Sequence, residues 1–143
     1  MRLIWGLLLL VILHTQDFPG KSSALDYQNT TIHPGFPKNA STNDPEVKKA
    51  TRFAVYAYNN KSNDSFLFKE MEIQKAMIQL VKGIKYMIKT EIGRTVCKKK
   101  EQNNLDKCEF QEDKPLKQEF TCYFEVWVIP WQHIVNVPVL QCY

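Results

Sequence analysis

Few side chains in this 143-residue chain could act as nucleophile, general base or metal ligand: three histidines, His14, His33 and His133, and four cysteines, Cys97, Cys108, Cys122 and Cys142. The histidines fall in an apolar leader, a polar arm and a proline turn, with no spacing that joins them in one site. The cysteines lack the C-x-x-C spacing of a metal or redox centre. No G-x-S-x-G, H-E-x-x-H or phosphate-cradling glycine loop is present. Glu70, Glu72 and Glu91 read as the solvent face of strands. The sequence therefore predicts no enzyme, no cofactor and no metal site. Two features remain that suit binding. Trp131 follows Pro130 at a turn, where a large ring is hard to bury, and Gly83 interrupts the apolar run "MIQLVKGIKYMI" at 77–88. Trp131 either folds back on its own sheet or anchors in a partner's pocket.

The compartment is set by the first residues. Arg2 gives a positive start and Leu3 to Leu13 an apolar stretch, shorter than the ~20 residues a membrane span needs. Residues 1–24 are read as a secretory signal peptide, cleaved somewhere between 15 and 24; an interfacial helix is the alternative. Removal leaves roughly 120 residues, one domain with one core. Four sequons, at Asn29, Asn39, Asn60 and Asn63, fit a secreted glycoprotein. In that oxidising setting four cysteines imply two disulfides, with three pairings available. The net charge of +4 is mild. Lys98 to Lys100 form the basic run and, without interleaved aromatics, read as a solvated loop rather than a nucleic-acid site.

Residues 25–43, with Pro34 and Pro37 and no periodicity, are expected to form an extended mobile arm, followed by a domain over 44–143. Asn43 or Asp44 suits a helix cap, Pro45 the first turn, and Val47, Ala50, Ala54 and Ala57 or Tyr58 form an apolar stripe. From Tyr86 the period changes to two. Tyr86, Ile88 and Ile92 share one strand face; so do Leu116, Phe120, Cys122, Phe124, Val126 and Val128 in a second strand. "VPVLQCY" is a last strand. Residues 68–81 fit helix or strand, with propensity favouring helix. One helix and several antiparallel strands make an α+β plan. Residue 132 is the midpoint of Cys122 and Cys142, beside the strand-stopping Pro130, so a hairpin there would face the two cysteines. Cys97 and Cys108 flank a polar segment that a bridge would close. This neighbour pairing is expected to stabilise by about 3 kcal/mol per bridge.

Gln79-Leu80-Val81-Lys82-Gly83 resembles the Q-x-V-x-G signature of the cystatins. Pro130-Trp131 resembles their second hairpin motif, Gly35 in "HPGFP" the glycine of their N-terminal trunk, and the four cysteines the pattern of the secreted, type 2 branch. The likeness runs from about Gly35 to Cys142. It implies the cystatin fold: a long helix wrapped by a curved antiparallel sheet of four to five strands, with 68–81 as strand and Gln79 to Gly83 as the first hairpin loop.

The resemblance also implies a function: reversible, tight-binding inhibition of papain-like cysteine proteases such as lysosomal cathepsins. Gly35, Gln79, Leu80, Val81, Lys82, Gly83, Pro130 and Trp131 would form a wedge that plugs the cleft. Phe36 stands where many type 2 members have a second glycine. Ser62, Asn63 and Asp64 match a loop by which some members inhibit legumain, an asparagine-specific protease, although a glycan on Asn63 would block entry. Some members carry two further cysteines that join copies into an inactive dimer. Lys61 fills one of those positions and the arm offers none, so a monomer is expected. The implied locations are extracellular or endolysosomal, without membrane or nucleic-acid partners. The rival is a non-inhibitory secreted protein of the same fold.

Overall fold

The computed structural model describes residues 35–101 and 104–143. The arm before Gly35 and the signal-peptide reading lie outside the described residues.

Helix α1 spans Pro45–Lys61. Its start is set by Asp44, whose carboxylate accepts the Glu46 N–H at 2.8 Å, and by Pro45 in the first turn. It ends where Ser62 turns extended and donates its N–H to the Tyr58 carbonyl. Val47, Ala50 and Ala54, with Thr51 and Val55 beside them, form its buried stripe, at three- and four-residue steps. Asp44→Ala is expected to cost about 1 kcal/mol and lower the melting temperature by about 4 °C, measured by thermal unfolding.

Five strands follow one another in one antiparallel sheet, in chain order: β1 (Lys38–Ala40), β2 (Phe66–Val81), β3 (Gly83–Lys98), β4 (Glu119–Ile129) and β5 (Ile134–Cys142). Three register shifts in the β2–β3 ladder, at Phe66/Phe68, Glu70/Glu72 and Ile73/Lys75, add local twist. The helix contacts β2, β3, β4 and β5. Between the layers lie Val47, Val55, Phe68, Ile88, Ile92, Phe124 and Val126, each at most 1% exposed. The expected faces hold from Tyr86 to Ile92 and from Phe120 to Val126.

The ambiguous segment is strand along its whole length. Its side chains favour helix in isolation, but β3 supplies a partner from Phe66 to Val81, and tertiary pairing outweighs propensities of a few tenths of a kcal/mol per residue.

Three expectations need correction. Lys38–Ala40, assigned to a mobile arm, pair with Ala76–Ile78 of β2, and Ala40 packs against the core. So short a strand has no periodicity to read and depends on a sheet edge more than thirty residues away in sequence. Leu116 does not begin β4; it is 39% exposed in a turn where the Asp113 carbonyl accepts from both Leu116 and Lys117 N–H groups. The reason is local: Asp113 and Pro115 favour the turn, and Pro115 has no N–H to give a ladder. Glu70 is not simply on a solvent face. It accepts from Arg52 at 2.6 Å, and Arg52 also reaches Asp106 at 2.7 Å, tying α1 to β2 and to the loop before Cys108. That hydrogen bond from Arg52 holds the Asp106 carboxyl below its usual 3.8. A lowered carboxyl pKa stabilises the fold above the unfolded value and is lost as pH falls through the folded one, so this clasp persists through the mildly acidic range.

The bridges are Cys97–Cys108 and Cys122–Cys142, the latter between directly opposed residues of β4 and β5. The neighbour pairing is the one formed. Of the basic run, Lys98 and Lys100 are exposed, while the Lys99 ammonium donates to the Ser62 carbonyl.

Candidate functional site

The β2–β3 hairpin turns on one residue. Val81 pairs with Gly83, leaving Lys82 at the tip. Gly83 has φ +87, and a Cβ there would lie 2.2 Å from the Val128 carbonyl oxygen of β4. Glycine is required twice over, by the left-handed backbone and by the approach of β4. Ile84 pairs with Val128, so the tip lies alongside the end of β4.

From there β4 runs into Pro130–Gln132, a single 3-10 turn closed by the His133 N–H to the Pro130 carbonyl at 3.1 Å. His133 adopts φ 52, the one left-handed non-glycine residue among those described. The chain then reverses so that Ile134 pairs with Ile129. This geometry leaves Trp131 64% exposed, which excludes folding back on the sheet.

Gly35 joins the same end from the other side. Its N–H donates to the Leu80 carbonyl at 3.1 Å, and its carbonyl accepts from the Gln79 side-chain amide at 2.8 Å. Its φ is +101, with open space around a would-be Cβ. Phe36 beside it is 71% exposed and Val81 40%. Gly35, Gln79 to Gly83, Pro130 and Trp131 are thus brought to one end of the sheet. The result is an apolar ridge made by Phe36, Val81 and Trp131, interrupted by the exposed Lys82.

Among the described residues Lys82 forms no salt bridge. Glu125 pairs with Lys85 at 3.7 Å and accepts from the Tyr123 hydroxyl at 2.9 Å. Burial and then that carboxylate push the Tyr123 pKa up to about 12, so it stays a donor. Sequence reasoning missed two supports. Trp127 donates its indole N–H to the Lys82 carbonyl at 2.6 Å, and His133 supplies the left-handed turn residue. Only the adjacency of Trp127 to a proline–tryptophan turn hinted at the first.

At the other end of β2, Ser62, Asn63 and Asp64 form a braced loop. The Ser62 hydroxyl accepts the Asp64 N–H at 3.1 Å. One Asp64 oxygen accepts the Phe66 N–H at 2.9 Å, and the other pairs with Arg94 at 2.5 Å. Asn63 is exposed between these fixed neighbours, as are the sequon residues Asn39 and Asn60; Asn29 lies outside the described residues. No cluster of three or more His, Cys, Asp or Glu suited to a metal occurs among the described residues.

One helix on a five-stranded antiparallel sheet, with a glycine and two hairpin turns gathered at one exposed end, has the form of a binding module. A Cystatin domain is matched over residues 35–131, and the chain belongs to the cystatin family, whose members inhibit papain-like cysteine proteases and are not enzymes. It is 48% identical to human Cystatin-F over 133 residues, covering 93% of this chain and 92% of that one. It is 52% identical to mouse Cystatin-F over 113 residues, covering 79% and 78%. Among solved structures it resembles dimeric human cystatin F, with TM-score 0.75 and 53% identity, over 80% of this chain and 91% of that one.

Proposed function

We propose that this protein is a reversible, tight-binding inhibitor of papain-like cysteine proteases, cathepsins included, and that Gly35, Gln79 to Gly83, Pro130 and Trp131 enter the enzyme's cleft. The observation that carries this reading is the convergence of trunk, first hairpin and second hairpin on one edge, tied by hydrogen bonds from Gly35 to Leu80 and from Trp127 to Lys82. Chain segments Ile32 to Pro34 would lie on the substrate side and the two hairpins on the leaving-group side. No peptide bond reaches the catalytic cysteine, so the inhibitor blocks without being consumed. Loops already fixed lose little entropy on docking, and about 800 Å² per partner then suffices for high affinity.

Titration of active papain and cathepsin L is the test. Trp131→Ala and Gly35→Trp should each weaken inhibition about tenfold or more, by loss of a buried aromatic anchor and by obstruction of the trunk. Unchanged constants for both refute the wedge. A non-inhibitory protein of the same fold would leave both enzymes fully active.

A second reading concerns Ser62–Asp64. Asn63 stands exposed in a loop whose neighbours are held by Arg94, Phe66 and Lys99, a shape suited to an asparagine-specific protease such as legumain. It is also a sequon acceptor. Ser65→Ala, which removes the sequon and keeps Asn63, should therefore raise legumain inhibition while leaving papain inhibition unchanged; no gain in the unglycosylated variant counts against the loop.

Residues 1–24 are proposed as a signal peptide directing the domain over 44–143 and its trunk to secretion, with endolysosomal delivery as a further destination. All four cysteines of the chain are used in the two internal bridges. The protein is accordingly proposed to be a monomer, with the same gel-filtration volume with and without mild reductant.

A further inference from the structure

Trp127 is the large aromatic side chain near the ridge that the docking model leaves without a task. In β4 it occupies the opposite parity to the buried Phe124 and Val126, and it is half-buried. It pairs across the sheet with Lys85 on one side and Asn136 on the other, beside a register shift in the β4–β5 ladder. Its indole N–H reaches past these partners to the Lys82 carbonyl at 2.6 Å. Lys82 is the lone residue between the paired Val81 and Gly83, so its carbonyl sits beyond the last rung.

We propose that Trp127 is a positioning residue: its N–H clamps the tip of the first hairpin to β4 and so fixes Val81 relative to Trp131, making the two hairpins dock as one body. The physical basis is preorganisation. Strand pairing and the seat of Gly83 on β4 hold the base of the turn, and the indole bond adds a restraint on Lys82 itself; each degree of freedom frozen before binding need not be frozen during it. Gln79 performs the matching task on the other flank, holding the Gly35 carbonyl at 2.8 Å. The ridge is therefore built by side-chain-to-backbone bonds at both flanks as well as by strand pairing. This inference rests on the proposed inhibitory edge, and the test separates the two.

Trp127→Phe keeps an aromatic ring and deletes the donor. Association and dissociation rates with papain, thermal unfolding, and amide hydrogen exchange at Lys82 and Gly83 would be measured beside wild type and Trp131→Ala. The expected results are inhibition weakened about three- to tenfold, a melting temperature lower by no more than about 4 °C, and faster exchange at the tip. In wild-type protein, the indole N–H resonances of Trp127 and Trp131 should differ, Trp127 protected from exchange and Trp131 not. That readout stands even if the variant fails to fold. Wild-type rates for Trp127→Phe, or an unprotected Trp127 indole in wild type, overturn the clamp. A wild-type protein that does not inhibit papain overturns the inhibitory edge instead. If Trp131→Ala weakens inhibition while Trp127→Phe does not, only the clamp is lost.

Discussion

Exchange of Gly83 for alanine is expected to weaken papain inhibition by about a hundredfold, the largest functional effect of any single methyl group in this protein. Two costs combine. At φ +87 an L-residue is strained by about 1–2 kcal/mol, and the new Cβ would meet the Val128 carbonyl oxygen at 2.2 Å, a distance no packing tolerates. The clash involves backbone on both sides, so a rotamer change cannot relieve it. The hairpin tip must move away from β4, and Val81 then leaves its alignment with Trp131. Because the displaced segment is the terminal turn of one hairpin, at the margin of the core where Ile84 and Val128 pack, the melting temperature should fall only a few degrees by the usual size scaling. Gly35→Ala provides the control. Gly35 shares the left-handed backbone, at φ +101, but has open space around it, so its loss should remain about tenfold or less. Equal constants for Gly83→Ala and wild type would show that the tip does not need its present seat on β4.

The largest effect on stability is expected at Asn59. Its side chain is 2% exposed and exchanges two hydrogen bonds with one residue of β2: its amide donates to the Phe68 carbonyl at 2.9 Å, and its oxygen accepts the Phe68 N–H at 2.8 Å. Phe68 is itself at the centre of the core, with Tyr58 edge-on and Phe120 stacked on it. Asn59→Leu, nearly the same size, leaves a buried donor and a buried acceptor unsatisfied. At about 1–3 kcal/mol per orphaned group the loss should be about 3 kcal/mol or more, about 12 °C in melting temperature. Inhibition measured well below the transition should be nearly unchanged, since Phe68 lies at the far end of β2 from the Val81 tip. Urea unfolding with an unaltered midpoint would show that water or repacking satisfies Phe68.

These two positions illustrate what could be foreseen. Gly83 drew attention because a glycine broke an apolar run; the break alone left its kind of turn open, and the resemblance to the cystatins implied the hairpin loop that β2 and β3 form. Asn59 did not, because a polar residue near a helix end looks like solvent-exposed surface. Nothing in "YNNKS" says that one asparagine faces inward while the next, Asn60, faces water. Glu70 belongs with Asn59: a carboxylate in an alternating stretch, made structural by Arg52 on another element.

The sequence by itself determined the local features. Asp44 and Pro45 start the helix, the stripe from Val47 to Ala54 orients it, period-two patterns set the buried faces of β3 and β4, and Pro130 places the reversal that brings Cys122 opposite Cys142. Each is decided by residues within a few positions of one another, through caps, dihedral restrictions and side-chain periodicity. Tertiary structure decided the rest: that 68–81 is strand and not helix, that Lys38–Ala40 joins the sheet, and that Gly35, Val81 and Trp131 share one edge. Those outcomes depend on hydrogen-bond partners distant along the chain, and a backbone N–H gives no sign in its own sequence of which carbonyl will satisfy it.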